Sequence, residues 1–310
     1  MTTACRTANR ARPALLYVGL ALACCRNKPA RLEQPLTAEP AAPDPALSVI
    51  KRALRPSAGC GKPSKTGTLT LHADDGSGRA RDFQLLVPAS YDPRQPRSVV
   101  FVYHGSNATA ESAESYGIQT LPGASDSALF VFPQGIPFQS DGVGWNDTCA
   151  GYDMPFFDHM LATLKADFCV DESRIFAAGF SWGGDQVTAL ACCRGASVRA
   201  VAAAACTDEF STPKDYRTYQ NMPCPTTGTT AVRFSFDPNG DEALSADMFR
   251  STSALYRTLD GCTDAVSAAG GACRAYGGCK QPFLECAYPK LGHALPKSWA
   301  RDTWNFFAQF

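Results

Sequence analysis

The chain has 310 residues, 45% of them hydrophobic, which is enough to fill the core of one large α/β domain or two small ones and excludes a chain disordered throughout. Lys plus Arg equals Asp plus Glu at 29 each, so no basic field draws nucleic acid and no acidic tail imitates it. The expected substrate is neutral or weakly charged, or is read by a local charge.

From the N-terminus, Arg6, Arg10 and Arg12 form a basic start and Ala14 to Ala23 a short apolar run that ends at Cys24-Cys25. The run is too short for a stable bilayer span and reads as an export leader over residues 1–26. Ala-Leu-Ala-Cys ending at Cys24 looks like a degenerate bacterial lipoprotein box, with Ala21 where leucine usually stands, so lipidation at Cys24 and simple cleavage both stay open. A lipid there would be the one membrane attachment, and the expected location is extracellular or periplasmic. Residues 27–58 are rich in Pro and Ala and read as a semi-extended linker. Folded structure is expected over residues 59–310 as one domain.

Short β-rich runs then alternate with longer helical stretches, the pattern of an α/β sheet. Strands are expected at Thr68 to His72, Asp82 to Pro88, Val99 to His104, Leu129 to Pro133, Ile175 to Phe180, Ala200 to Ala204, Val232 to Phe236 and Leu284 to Tyr288. Helices are expected at Phe156 to Asp167, Trp182 to Cys193, Asp241 to Thr258 and Trp299 to Gln309. The turn Asp74-Asp75-Gly76-Ser77-Gly78 makes the first two strands an antiparallel hairpin ahead of a mostly parallel sheet with helices on both faces.

Fourteen cysteines suit an oxidising compartment. Their wide spacings and the presence of only four histidines favour disulfides over zinc. Setting aside Cys5, Cys24 and Cys25 leaves 14 − 3 = 11, an odd number that implies at least one thiol outside a disulfide. Cys192 and Cys193 are adjacent on one helix and point in different directions, so one of them is the candidate. Pairing among Cys262, Cys273, Cys279 and Cys286 would pin the Gly-rich loop before His293.

The chemistry centres on Gly179-Phe180-Ser181-Trp182-Gly183, where a strand runs directly into a helix. A nucleophilic serine needs a turn tight enough to hold its oxygen off the backbone, and Gly179, Gly183 and Gly184 permit one. The plainer alternative is an ordinary Gly-rich strand-to-helix turn. Ser181 needs an imidazole base, and His293, after the last strand and before the last helix, has the right chain order. His72, His159 and His104 read as structural or supporting histidines. The acid lies in Asp237-Pro238-Asn239-Gly240-Asp241: Asp241 is the first choice because it would start a helix, and Asp237 the second. The oxyanion donors are expected to be the amides of Trp182 and, from the loop His104-Gly105-Ser106-Asn107, Ser106. Trp182, Trp145 and Phe138-Gln139 are candidates to shape an acyl pocket, with His104 a further substrate-side candidate; each could equally fill the core.

Tyr103-His104-Gly105, Phe132-Pro133-Gln134-Gly135, Phe156-Phe157-Asp158, Cys169-Val170-Asp171 with Arg174-Ile175-Phe176, the Ser181 motif and Gly292-His293 together resemble the bacterial polyhydroxybutyrate depolymerase and feruloyl esterase group, which overlaps the first carbohydrate esterase family. The resemblance spans Gly59-Cys60-Gly61-Lys62 to the C-terminus. It implies an α/β-hydrolase fold and an extracellular ester hydrolase without metal or cofactor, monomeric, acting on feruloyl or acetyl esters of plant polysaccharide or on short-chain polyesters. Two departures stand out: Asp237-Pro238 replaces the usual His-Gly before the acid, and Trp182 replaces a smaller residue after the nucleophile. A non-catalytic carbohydrate-binding surface lipoprotein is the competing reading.

Overall fold

The chain divides into two units, residues 1–40 and 41–310. A computed structural model describes residues 52–138, 142–208, 210–211, 224–225 and 228–310. The expected leader, Cys5, Cys24, Cys25, most of the expected linker and Gln139 therefore lie outside the described residues. In chain order the elements are β1 (Gly67–Asp74), β2 (Ala80–Val87), β3 (Arg97–Tyr103), α1 (Ala110–Glu114), α2 (Ala124–Ser127), β4 (Ala128–Pro133), β5 (Ile136–Pro137), β6 (Val143–Gly144), α3 (Asp153–Asp167), β7 (Val170–Phe180), α4 (Trp182–Cys193), β8 (Ala200–Ala204), β9 (Ala231–Phe236), α5 (Ala246–Leu259), β10 (Val266–Ala268), β11 (Cys273–Tyr276), β12 (Phe283–Ala287) and α6 (Trp299–Phe307).

Strands β3, β4, β8, β9 and β12 are almost wholly buried and mostly apolar, as strands covered on both faces require. They pair in parallel with β7 in the order β4-β3-β7-β8-β9-β12, while β2 alternates buried and open positions and pairs antiparallel at one edge with β1 outside it. Alternation along β3 assigns the two faces. Val99, Phe101 and Tyr103 join the cluster under α3, α4 and α5, and Val100 and Val102 join Ala110 of α1 with Trp299, Phe306 and Phe307 of α6. The expected hairpin, parallel centre and two helical layers are all present.

The chain leaves β3 for β4 on one side and returns on the other side as β7. Loops that diverge in this way open a crevice at the carboxyl ends of the strands, so the ends of β3 and β7 face the same space.

Several boundaries differ from expectation for local reasons. Ordered contacts begin ahead of Gly59: the Arg55 amide donates to Asp171 Oδ1 at 3.0 Å and the Ser57 amide to Val170 O at 2.9 Å. Helix α5 starts at Ala246 rather than at Asp241, because Asp241 Oδ1 accepts the Ala243 and Leu244 amides at 2.8 and 2.7 Å, an alternative to helical pairing, and Ser245 then caps the helix. The short antiparallel strands β10 and β11 extend the second edge. Their brevity and flanking glycines left no periodic signal, and β10 is exposed throughout.

Among the described residues five disulfides are present: Cys60–Cys169, Cys149–Cys193, Cys192–Cys224, Cys262–Cys279 and Cys273–Cys286. The last two confirm pairing within the four-cysteine set near His293. Cys192 and Cys193 do diverge, but each finds a partner, so neither is the odd thiol; buried Cys206 is the cysteine outside a disulfide among the described residues. Among those residues no helix is long and apolar enough to cross a membrane.

Cys60–Cys169 closes a separation of 109 residues, the longest of the five. In the chain-entropy account, removing such a cross-link frees the unfolded state most. Replacing both cysteines by Ala is expected to lower unfolding free energy by about 3–5 kcal/mol in urea titration.

Candidate active site

Strand β7 passes into α4 through a backbone turn that few residues tolerate. Ser181 sits at φ 55° and ψ −129°, a conformation costing about 1–3 kcal/mol that the surroundings must enforce. A Cβ on Gly179 would lie 2.1 Å from Gly183 O, and one on Gly183 would lie 2.3 Å from Tyr103 O and 2.5 Å from His104 O. Neither position admits a side chain, so the motif's glycines are a steric requirement of bringing this turn against the end of β3. The Ser181 amide donates to Ala204 O at 2.9 Å, and Ser181 O accepts the Gly184 and Asp185 amides at 2.7 and 3.1 Å, which starts α4 at the serine.

His293 comes from the loop after β12. Its Nε2 lies 2.8 Å from Ser181 Oγ and its Nδ1 lies 2.9 Å from Asp241 Oδ2. The carboxylate only accepts, so Nδ1 carries the hydrogen and Nε2 is left to accept the serine proton. The Asp241 side chain is fully buried while the imidazole is 17% exposed, which leaves the serine end of the chain open to a ligand.

The sequence left the acid divided between two aspartates, and the structure gives them different partners. Asp237 reaches backbone instead: its Oδ2 accepts the Gly292 amide at 3.1 Å and its Oδ1 the Asn239 amide at 3.0 Å. Burial pushes the Asp237 carboxyl up, but the amide donors of Asn239, Gly292 and Leu291 outweigh it and hold its pKa below the ordinary value. Glu242, which sequence reasoning passed over, accepts the His293 amide at 3.1 Å. Gly292 adopts φ 67° with its Cβ position 3.3 Å from Glu242 Oε2, so a glycine there lets the carboxylate close on the base.

The loop after β3 lies against the serine: a Cβ on Gly105 would stand 3.4 Å from Ser181 Cβ. Among the described residues, the amides of Trp182 and Ser106 donate to no backbone or side-chain acceptor. Both remain available to an oxyanion. His104 is held from both sides, Nδ1 lying 2.8 Å from Gly105 O as donor and Nε2 accepting the Gly135 amide at 2.9 Å. Trp145 Nε1 donates to His104 O at 2.9 Å.

Trp145 and His104 are both 0% exposed, so the expectation that they meet substrate is corrected: they brace the loop from beneath. Of the aromatic residues expected to shape an acyl pocket, Trp182 and Phe138 are partly open and meet edge to face at 6.1 Å. The Trp182 ring fills the space that a Gly144 side chain would need, 2.2 Å from that Cβ position. His72 pairs with Asp82 and His159 with Asp74 O, both at the hairpin. Among the described residues no group of His, Cys, Asp or Glu is arranged to hold a metal ion.

No protein-family model matches the chain. It is 38% identical over 152 residues to feruloyl esterase C of Emericella nidulans, covering 47% of this chain and 52% of that protein. To feruloyl esterase D of Neurospora crassa it is 31% identical over 163 residues, covering 48% and 53%. The chain thus spans about half the length of the curated relatives it matches. Among solved structures, an acetyl xylan esterase from Aspergillus awamori superposes with a TM-score of 0.59 at 14% identity, covering 78% of this chain and 99% of that one. None of these names a polyhydroxybutyrate depolymerase. By sheet order and by the solved-structure likeness the chain has an α/β-hydrolase fold, and over about half their length it is similar in sequence to the feruloyl esterases named above.

Proposed function

We propose that the protein is a secreted serine carboxylic ester hydrolase of the feruloyl and acetyl-xylan esterase type, acting on esters of plant polysaccharide through an acyl-enzyme. The observation that carries this reading is the unbroken hydrogen-bonded line from buried Asp241 through His293 to Ser181 Oγ, ending on a serine held at positive φ.

In this reading Ser181 Oγ attacks the ester carbonyl as His293 Nε2 takes its proton. Asp241 keeps the imidazole in the needed tautomer and stabilises the imidazolium. The amides of Trp182 and Ser106 meet the developing oxyanion, helped by the positive end of α4. Collapse of the tetrahedral species breaks the ester C–O bond, and His293 hands its proton to the leaving alcohol. Water then enters by the reverse route, losing a proton to His293, and releases the carboxylic acid with Ser181 restored.

The feruloyl esterase names of the curated relatives favour a hydroxycinnamoyl ester over a polyester. The partly open aromatic pair of Trp182, next in sequence to Ser181, and Phe138 suits a flat acyl group. Five disulfides suit a protein working in an oxidising compartment. A non-catalytic carbohydrate binder would have no use for an aligned nucleophile, base and acid.

Ser181→Ala is expected to reduce hydrolysis of a p-nitrophenyl acyl ester to background while thermal unfolding stays near that of wild type; retained turnover defeats the scheme. Asp241→Asn is expected to lower kcat roughly 10⁴-fold by favouring the wrong imidazole tautomer, and Asp237→Asn less than roughly tenfold, since an amide oxygen still accepts the Gly292 amide. Equal losses in the two variants would reverse the assignment of the acid. Across methyl ferulate, acetylated xylan and polyhydroxybutyrate, with Ser181→Ala as blank, turnover is expected on one of the first two.

The braced loop also carries a pH dependence. Burial holds the His104 pKa below its ordinary value of 6.5, because imidazolium is disfavoured there and would lose the Gly135 amide as a partner. As pH falls below about 6.5 the unfolded chain takes up a proton that the folded chain refuses, so this contribution is complete above that pH and is lost below it. The stability gap between wild type and His104→Gln, measured by urea titration, is expected to narrow from about pH 8 to about pH 5. A constant gap would contradict this origin.

A further inference from the structure

We propose that Asn107 is a positioning residue for the oxyanion hole, locking the amide of Ser106 in place by acting as a strand residue for β6. This inference rests on the hydrolase reading above and adds to it the device that fixes the second donor.

Asn107 is exposed, shows no hydrogen bond to Ser181 or His293 among the described residues, and lies in a loop where a polar residue needs no special reason. Its geometry is nevertheless specific. The Asn107 amide donates to Val143 O at 2.8 Å, and Asn107 Oδ1 accepts the Val143 amide at 3.0 Å. These bonds satisfy both backbone groups of Val143 with one residue, the backbone supplying the donor and the side chain the acceptor. The residue sits at φ 55°, a left-handed conformation that asparagine tolerates far better than most residues. Gly142 is fitted to it: φ is 92°, and a Cβ would stand 2.1 Å from Asn107 Oδ1.

The consequence falls on the residue before it. His104 is fixed by the Gly135 amide and by Trp145 Nε1, from the residues just before and just after the β5–β6 hairpin. Asn107 ties the other end of the same loop to β6. Ser106 therefore lies between two anchored residues, and its amide direction is set by the peptide plane joining it to Gly105. The same hairpin receives the Trp182 ring at Gly144, so one short hairpin positions the residues that carry both oxyanion donors. Oxyanion stabilisation depends on donors already aimed where charge develops, which makes a loosened anchor a loss in the transition state rather than in substrate binding.

Three variants test this. Asn107→Gly keeps access to positive φ and removes the side-chain acceptor; Asn107→Asp keeps both; Asn107→Ala removes the acceptor and strains the backbone. With a p-nitrophenyl acyl ester, N107G and N107A are expected to lose roughly tenfold or more in kcat with KM within about twofold, and N107D to recover most of that loss. Circular dichroism and unfolding midpoints establish that each variant is folded; should N107A fail to fold, the N107G and N107D pair decides. The proposal is overturned if N107G turns over like wild type, if its loss appears in KM with kcat unchanged, or if N107D is as impaired as N107G. A wild-type protein without turnover that Ser181→Ala removes would instead defeat the hydrolase reading on which the proposal stands.

Discussion

The site depends on one close backbone approach, that of Gly183 to the carbonyls of Tyr103 and His104 at the end of β3. It presses the β7–α4 turn against the neighbouring parallel strand, forces Ser181 to positive φ and lifts its hydroxyl into the crevice where the chain order reverses. The same contact brings the loop after β3 beside the serine, so the placement of Ser181 and that of the Ser106 amide share a cause. Relaxing this approach by any side chain at Gly179 or Gly183 would separate them. The strain at Ser181 is sustained by parallel pairing on both sides of β7 and by the first hydrogen bonds of α4.

Around that contact the structure arranges rigid supports rather than further chemistry. Asp237, Asp241 and Glu242 come from one loop after β9 and hold, in turn, the Gly292 amide, the His293 imidazole and the His293 amide. The histidine is positioned by its backbone as much as by its ring. The buried pair of Arg81 and Asp153 braces the other side: Asp153 accepts Arg81 at 2.6 Å and the Asn146 amide at 2.6 Å, and Arg81 also reaches Gln134 O at 3.0 Å. Burial raises the Asp153 carboxyl pKa and the guanidinium opposes that rise. A buried pair of this kind gains little net stability, but losing one partner strands the other. Its evident effect is to fix both ends of the segment that carries the β5–β6 hairpin.

Much of this was legible in the sequence wherever a local rule was strong. Continuous apolar runs marked the central strands, the glycines around Ser181 marked the turn, and chain order marked His293. Asp241 was expected to begin a helix. It does not begin a helix; its second oxygen makes an Asx-type turn that delays α5 to Ala246 and thereby leaves Oδ2 facing His293. Trp145 and His104 were misread because an aromatic or a histidine beside a motif can lie above the site or beneath it, and only burial separates the two. The partners of Cys192 and Cys193 lie 32 and 44 residues away in loops without periodicity, beyond local rules. Asn107 and Glu242 gave no sequence signal, since each acts on backbone groups brought near by tertiary structure.

The most direct test of the account is to treat the protein with a fluorophosphonate probe and map the adduct by peptide mass spectrometry. The account requires a single adduct on Ser181 in wild type and none in His293→Ala under the same exposure, because the hydroxyl is reactive only when the imidazole takes its proton. Wild type left unlabelled at Ser181, or label placed equally well without His293, would contradict it.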